Sequence, residues 1–97
     1  MTYRLLSPAR EELAAAALWY ESQSPGLGQR FLAEFDSVMD LILKFPAAWK
    51  PVGRRHRRCR FRRFPYAVLY SNTEIEIIVA GVIDFRKDPE PRTGSNA

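Results

Sequence analysis

The sequence predicts an α+β fold of order β-α-α-β-β-β, with a helical hairpin packed on one face of a mainly antiparallel sheet. Three observations predict it. Apolar residues recur at helical spacing from Phe31 to Phe45, a Pro/Gly break precedes that run, and after residue 56 the period changes to two. At 97 residues, 46% hydrophobic and 27% charged, the chain has room for one modest globular core. One domain is expected over residues 1–90, with 91–97 as a flexible tail.

Taken in order, Thr2-Tyr3-Arg4-Leu5-Leu6 alternates polar and apolar residues as a strand does, and Ser7-Pro8 stops it. Ser7 is placed as the N-cap of a first helix and Pro8 at its first position, with Glu11 and Glu12 against the positive end of the dipole. This helix runs to about Gln23. Leu13, Ala17 and Tyr20 share a face that Ala14 and Leu18 widen, and four consecutive alanines, Ala14 to Ala17, admit a close neighbour. Ser24-Pro25-Gly26-Leu27-Gly28 breaks the helix. Phe31, Phe35, Val38, Ile42 and Phe45 then recur at steps of four, three, four and three, with Leu32 and Met39 beside them, until Pro46. Two helices joined so closely form an antiparallel hairpin.

In the second half, Cys59 to Arg62 alternates apolar and basic residues, a strand with Arg58, Arg60 and Arg62 on one side. Phe64-Pro65 interrupts it, because proline cannot donate to a ladder. Tyr66, Val68 and Tyr70 alternate with Ala67 and Leu69, and Ser71-Asn72-Thr73 reads as a tight turn. From Glu74 the run EIEIIVAGVI starts half-exposed and becomes apolar on both faces, as an interior strand does. From Asp84 the chain is charged and proline-rich, the pattern of a frayed end.

Charge is uneven. Residues 1–49 carry four basic side chains against six acids, a net of −2, while residues 50–97 carry eleven against five, a net of +6, which together match the overall +4. The basic half points to a polyanionic or acidic partner. No apolar run approaches the ~18–20 residues of a membrane span, so no membrane association is expected. A lone cysteine, Cys59, excludes an internal disulfide framework, and a cytoplasmic location is the simplest expectation. The neighbouring arginines would lower the Cys59 pKa, yet only His56 is at hand as a base.

The pattern has no phosphate-binding glycine loop, no metal-ligand spacing and no Ser/His/Asp arrangement, and no cofactor is expected. His56 is the only histidine and reads as an exposed loop residue. Glu74 and Glu76 read as the exposed side of a strand, and Asp84 beside Arg86 as a salt bridge or turn. Arginine stays protonated and is a poor base, but it holds phosphates and stabilises developing negative charge. Two readings of the basic half stay open. Its arginines, with Tyr66, Tyr70 and Trp49 as stacking groups, bind RNA; or the aromatics fill the core and the arginines meet acidic residues of a protein partner.

The element order, together with YRLLSPAREELA, YESQSPGLGQRF, FPYAVLY and IVAGVIDFRKDP, resembles the RelE/ParE superfamily of small toxins from type II toxin–antitoxin modules. The likeness runs from about Tyr3 to Pro89 and is strongest to the ParE-like branch, the plasmid stabilisation proteins. RelE-like members resemble ribosome-dependent mRNA endonucleases; ParE-like members poison DNA gyrase and have no known catalytic residues. Where the nuclease branch carries an arginine after the aromatic at the start of its third strand, this chain has Ala67. A catalytic tyrosine is expected in the tail, but the last one is Tyr70, and the usual histidine ending the last strand is Asp84. Arg86 fills the shared position past that strand, and Arg60 and Arg62 replace second-strand lysines. If the chain were a nuclease, Arg62 and Arg86 would be its catalytic groups.

The resemblance implies a toxin of the gyrase-inhibiting kind, neutralised in a hetero-oligomer by an antitoxin with a flexible acidic segment. Its alternatives are ribosome-dependent mRNA cleavage, or a degenerate member that only binds antitoxin. Arg58, Arg60, Arg62, Arg63, Tyr66, Arg86, Trp19 and Leu27 are the expected target or antitoxin contacts.

Overall fold

The structure, a computed structural model, describes residues 1–87. The tail expected at 91–97, and the end of the domain range, lie outside the described residues. Its elements are β1 (Thr2–Leu5), α1 (Ser7–Gln23), α2 (Leu27–Lys44), β2 (Lys50–Val52), β3 (His56–Arg60), β4 (Tyr66–Asn72) and β5 (Glu76–Asp84). They build one five-stranded mixed sheet of order β1-β5-β4-β3-β2 with both helices against one face. Only β1 and β5 run parallel, Tyr3 opposite Ile77; the other pairs are antiparallel. The α+β architecture is the expected one, with β2 as an added edge strand too short to show a period.

α1 begins one residue earlier than its sequence suggests. Leu6, not Ser7, is the N-cap, and no side chain caps the helix. Leu6 N–H still donates to Val79 O at 2.9 Å, while its carbonyl accepts from Arg10 N–H at 3.0 Å, so strand and helix share this residue. Glu12 does not serve the dipole as expected. β1 pairs only Glu76 to Val79 of β5, and beyond that limit the Glu12 carboxylate accepts the Val82 N–H at 2.9 Å. Ala9, Ala16 and Tyr20 are the buried residues of α1, with Leu13 and Ala17 half-buried beside them. Ala14 and Leu18 face solvent instead, Leu18 at 72% exposure.

The close neighbour admitted by the alanines is α2. A Cβ placed on Gly28 would lie 2.5 Å from the Ala17 carbonyl oxygen, so the two backbones nearly touch. Gly26 takes the left-handed conformation needed to reverse the chain (φ 86°). Glu21 of α1 then accepts the N–H groups of Gly26 and Gly28 at 3.0 Å each, occupying the unpaired donors at the start of α2 with a negative charge.

α2 buries Phe31, Phe35, Val38, Met39 and Ile42. Leu32 faces out, and Phe45 lies beyond the last helical turn at 56% exposure. Tyr70, expected as a possible stacking surface, is fully buried and donates its hydroxyl to Pro46 O at 2.6 Å, fastening β4 to the end of α2. β4 runs through Asn72, past the turn expected at Ser71–Thr73. Thr73 instead closes the β4–β5 turn, its Oγ1 accepting the Glu76 N–H at 3.0 Å. Glu76 starts β5 and binds Arg4 of β1 at 3.2 Å.

β3 also differs from its expected course. It covers His56–Arg60, so His56 is a half-buried strand residue and Arg62 lies beyond the strand. The Glu34 carboxylate of α2 accepts the N–H groups of both Arg62 and Arg63, the latter at 2.9 Å, and draws the backbone off the ladder. Cys59 is buried, and desolvation pushes its pKa up to about 11, opposite to the lowering expected from nearby arginines.

Gly28→Ala is expected to lower stability by about 1–3 kcal/mol, the usual cost of overpacking, despite alanine's helix propensity. Denaturant unfolding checks it; an unchanged or higher midpoint would contradict the close approach. The Cys59 thiol is expected to resist thiol reagents in native protein at mildly alkaline pH and to react upon denaturation, as followed by absorbance.

Candidate functional site

At one end of the sheet the start of β4 meets the end of β5, with Tyr66 opposite Asp84. Aromatic packing fixes this end. Phe31 of α2 lies 4.9 Å from Tyr66, 5.0 Å from Phe61 and 5.0 Å from Phe64, measured between ring centres. Tyr20 of α1 stacks on Phe31 at 5.3 Å and meets Tyr66 edge-on at 6.1 Å. The Phe61–Tyr66 bend is closed by Phe61 N–H donating to Tyr66 O at 2.9 Å, and Phe85 N–H donates to Pro65 O.

Arg86 leaves this end and folds back. Its Nε and Nη2 donate to the two carboxylate oxygens of Asp84, both at 3.1 Å, and its backbone N–H donates to Oδ1 at 2.9 Å. The Tyr66 hydroxyl donates to Asp84 Oδ2 at 3.3 Å. The guanidinium carbon lies 5.3 Å from the Trp19 ring centre, 6.0 Å from Tyr20 and 5.9 Å from Tyr66, so three aromatic rings surround one cation. Beside it runs an open groove of about 750 Å³, lined by Ala15, Ala16 and Trp19 of α1 and by Val82, Asp84 and Arg86. Alanines make the groove, since larger side chains at 15 and 16 would fill it.

The electrostatics follow from these contacts. Burial alone would raise the Asp84 pKa, but hydrogen bonds from the Arg86 side chain and backbone outweigh it and leave the value below the usual aspartate range. The same pairing raises Arg86. Desolvation, with the Asp84 charge, raises Tyr66, and desolvation raises Tyr20. At neutral pH both phenols are protonated, Asp84 is a weak base and Arg86 is a fixed cation. The assembly can hold and orient a partner.

The eight expected contact residues fall in four places. Trp19 (48% exposed), Tyr66 and Arg86 form the groove. Arg58 and Arg60 lie on the sheet face away from the helices, their guanidinium carbons 5.2 and 4.6 Å from the Phe85 ring centre. Arg62 and Arg63 point outward from the bend beside Tyr66. Leu27 is half-buried and packs against the core. Of the proposed stacking groups Tyr66 is buried and Trp49 is half-buried against the core, so among the described residues no row of exposed rings lines the arginines. The Ala15–Ala16 floor escaped the sequence pattern, in which alanines signal only helix and not the border of a groove. His56 lies at the opposite sheet end, five β4 positions from Tyr66 by register, or roughly 17 Å at about 3.3 Å per residue.

These features define a small α+β domain with a helical hairpin on a five-stranded sheet and an arginine–aromatic groove at one end. Residues 3–89 match the family described as ParE toxin of type II toxin-antitoxin system, parDE. The chain belongs to the ParE toxin family of type II toxin–antitoxin systems. Its fold is similar to a solved structure of the chromosomal ParDE toxin–antitoxin system from P. aeruginosa, at a TM-score of 0.62 over 87% of this chain and 95% of that one. Identity is 13%, so that likeness concerns the fold alone. No curated protein matches by sequence. Among the described residues, no helix is long and apolar enough to cross a membrane.

Asp84→Asn tests the groove electrostatics. A depressed carboxylate adds stability that is present above its unfolded value and is lost as pH falls through the folded one. With Arg86 47% exposed, screening holds the contribution to about 1 kcal/mol or less. The variant is expected to be less stable at neutral pH, with the difference vanishing in acid below 3.8. Denaturant midpoints across pH check this, and a difference that persists in acid would contradict it.

Proposed function

We propose that the chain arrests growth by binding DNA gyrase in the cytoplasm, without a chemical step of its own, and that an acidic antitoxin silences it. The observation that carries this reading is the Asp84–Arg86 clamp. RNA cleavage by 2′-hydroxyl attack needs a group to take the proton and a cation free to meet the developing charge. Here the cation is held by two bonds to Asp84, the carboxylate is weakly basic, and both phenols are protonated. Ala67 adds to this. It is fully buried between Arg60 and Ile83, and its methyl group supplies no cation. These arguments favour gyrase over ribosome-dependent mRNA cleavage as the family activity in this chain.

The antitoxin contact follows from the distribution of apolar and basic groups at this end. An apolar side chain of the partner fits between Trp19 and the alanine floor, while its acidic residues reach Arg62 and Arg63 at the bend beside Tyr66. Such an arrangement combines an apolar anchor with charges that steer association.

With relaxed plasmid and gyrase, the protein is expected to stop supercoiling and accumulate cleaved complexes, leaving ribosome-bound message intact. Unaffected supercoiling together with cut message would overturn the proposal. Trp19→Glu is expected to weaken antitoxin binding at least tenfold, about 1.4 kcal/mol, in titration calorimetry; unchanged affinity would exclude the groove as the contact.

A further inference from the structure

We propose that the β2–β3 hairpin is an arm that binds the phosphodiester backbone of duplex DNA. It lies at the sheet end away from the groove and is not used by the contacts proposed above. The three-residue turn Gly53-Arg54-Arg55 joins the strands, with Gly53 in the left-handed region (φ 66°). A polar pocket of about 260 Å³ opens there, lined chiefly by Arg54, Arg55, His56, Arg57 and Asn72.

Three observations point to phosphate. No acidic residue occurs between Asp40 and Glu74, and none lines the pocket. Among the described residues Arg54, Arg55 and Arg57 form no ion pair, and only Arg57 is tied down, donating to Trp49 O at 2.8 Å. Across the two strands Lys50 faces Arg58, and directly opposed like charges weaken a sheet pair. The hairpin therefore holds positive charge together at a cost that a bound anion would relieve.

The same surface argues against an acidic peptide. A segment that folds on binding must offset its ordering entropy with buried apolar contacts. The large exposed apolar side chains lie elsewhere, Leu18, Trp19, Leu32, Leu41 and Phe45 along the helices or just past them and Ile75 in the β4–β5 turn, and none lines this pocket. Phosphate contacts need only charge and hydrogen-bond donors, and a two-stranded ribbon fits the major groove of B-DNA. Duplex DNA, with about one charge per 1.7 Å of axis, is dense enough to engage adjacent arginines together, and its wide major groove, unlike that of duplex RNA, admits the ribbon.

The test is fluorescence anisotropy of the full chain with a short labelled duplex DNA, without gyrase, across a salt series. Its outcome is thus separate from that of the supercoiling experiment. The affinity is expected to fall linearly in log–log form. Arg54→Ala with Arg55→Ala is expected to flatten the slope by about 1.8, or 0.9 per lost phosphate contact, and to weaken low-salt binding by roughly tenfold. Both residues lie in an exposed turn, and circular dichroism verifies that the variant folds. Arg62→Ala with Arg63→Ala, at the other end of the sheet, is expected to keep most of the slope. Absence of DNA binding at low salt, or equal losses in both double variants, would overturn the assignment. So would tighter binding of a duplex RNA of the same length, stabilisation by inorganic phosphate without DNA binding, or an acidic peptide whose binding alone needs Arg54 and Arg55.

Discussion

Four aromatic side chains meet the ring of Phe31, and most of the molecule is organised by that meeting. Tyr20 brings α1, Phe61 the residue after β3, Phe64 the bend and Tyr66 the first residue of β4. Burying one such ring contributes about 1.5–3 kcal/mol, and each well-oriented aromatic pair adds about 0.5–1.5 kcal/mol. The cluster locks helices to sheet, and it also sets the position of the Tyr66 hydroxyl. That hydroxyl and the Asp84 carboxylate meet because β4 and β5 pair in the register that sets Tyr66 opposite Asp84. Arg86 then closes on a carboxylate already held in place.

From this core the two ends of the sheet diverge in chemistry. At the Tyr66 end, arginines border a groove with a small-residue floor and an exposed indole. At the hairpin end, arginines surround a polar pocket with no apolar anchor. The positive charge is therefore not one continuous field with one purpose. It is divided by the geometry of β3, which Glu34 ends at Arg60 by taking the next backbone donors. A single carboxylate on α2 thus decides which arginines lie on the strand and which project from the bend.

Much of this was legible in the sequence. The period of α2 and the Pro/Gly break place the hairpin, the alternation from Tyr66 places β4, and the apolar run after Glu74 places β5 inside the sheet. What failed did so where a distant residue overrides a local preference. Ser7 looks like an N-cap, but the β1–β5 ladder continues to Leu6 and moves the cap there. Leu18 and Phe45 fit the apolar period, yet Leu18 falls outside the contact with α2 and Phe45 lies past the last turn. Strand β2 is too short for any period. The groove was least visible, because its floor is written as alanines that signal only helix, and its cation is defined by a three-ring surround assembled from α1 and β4.

The central claim is that the Tyr66–Asp84–Arg86 assembly recognises a partner and performs no proton transfer. Growth arrest by Tyr66→Phe measures this most directly, because the change keeps the ring that packs on Phe31 and deletes only the hydroxyl. The account predicts that a folded Tyr66→Phe protein arrests growth as the parent does. Loss of arrest, with folding, gyrase affinity and antitoxin affinity unchanged, would show that the phenol takes part in a reaction and would contradict the account.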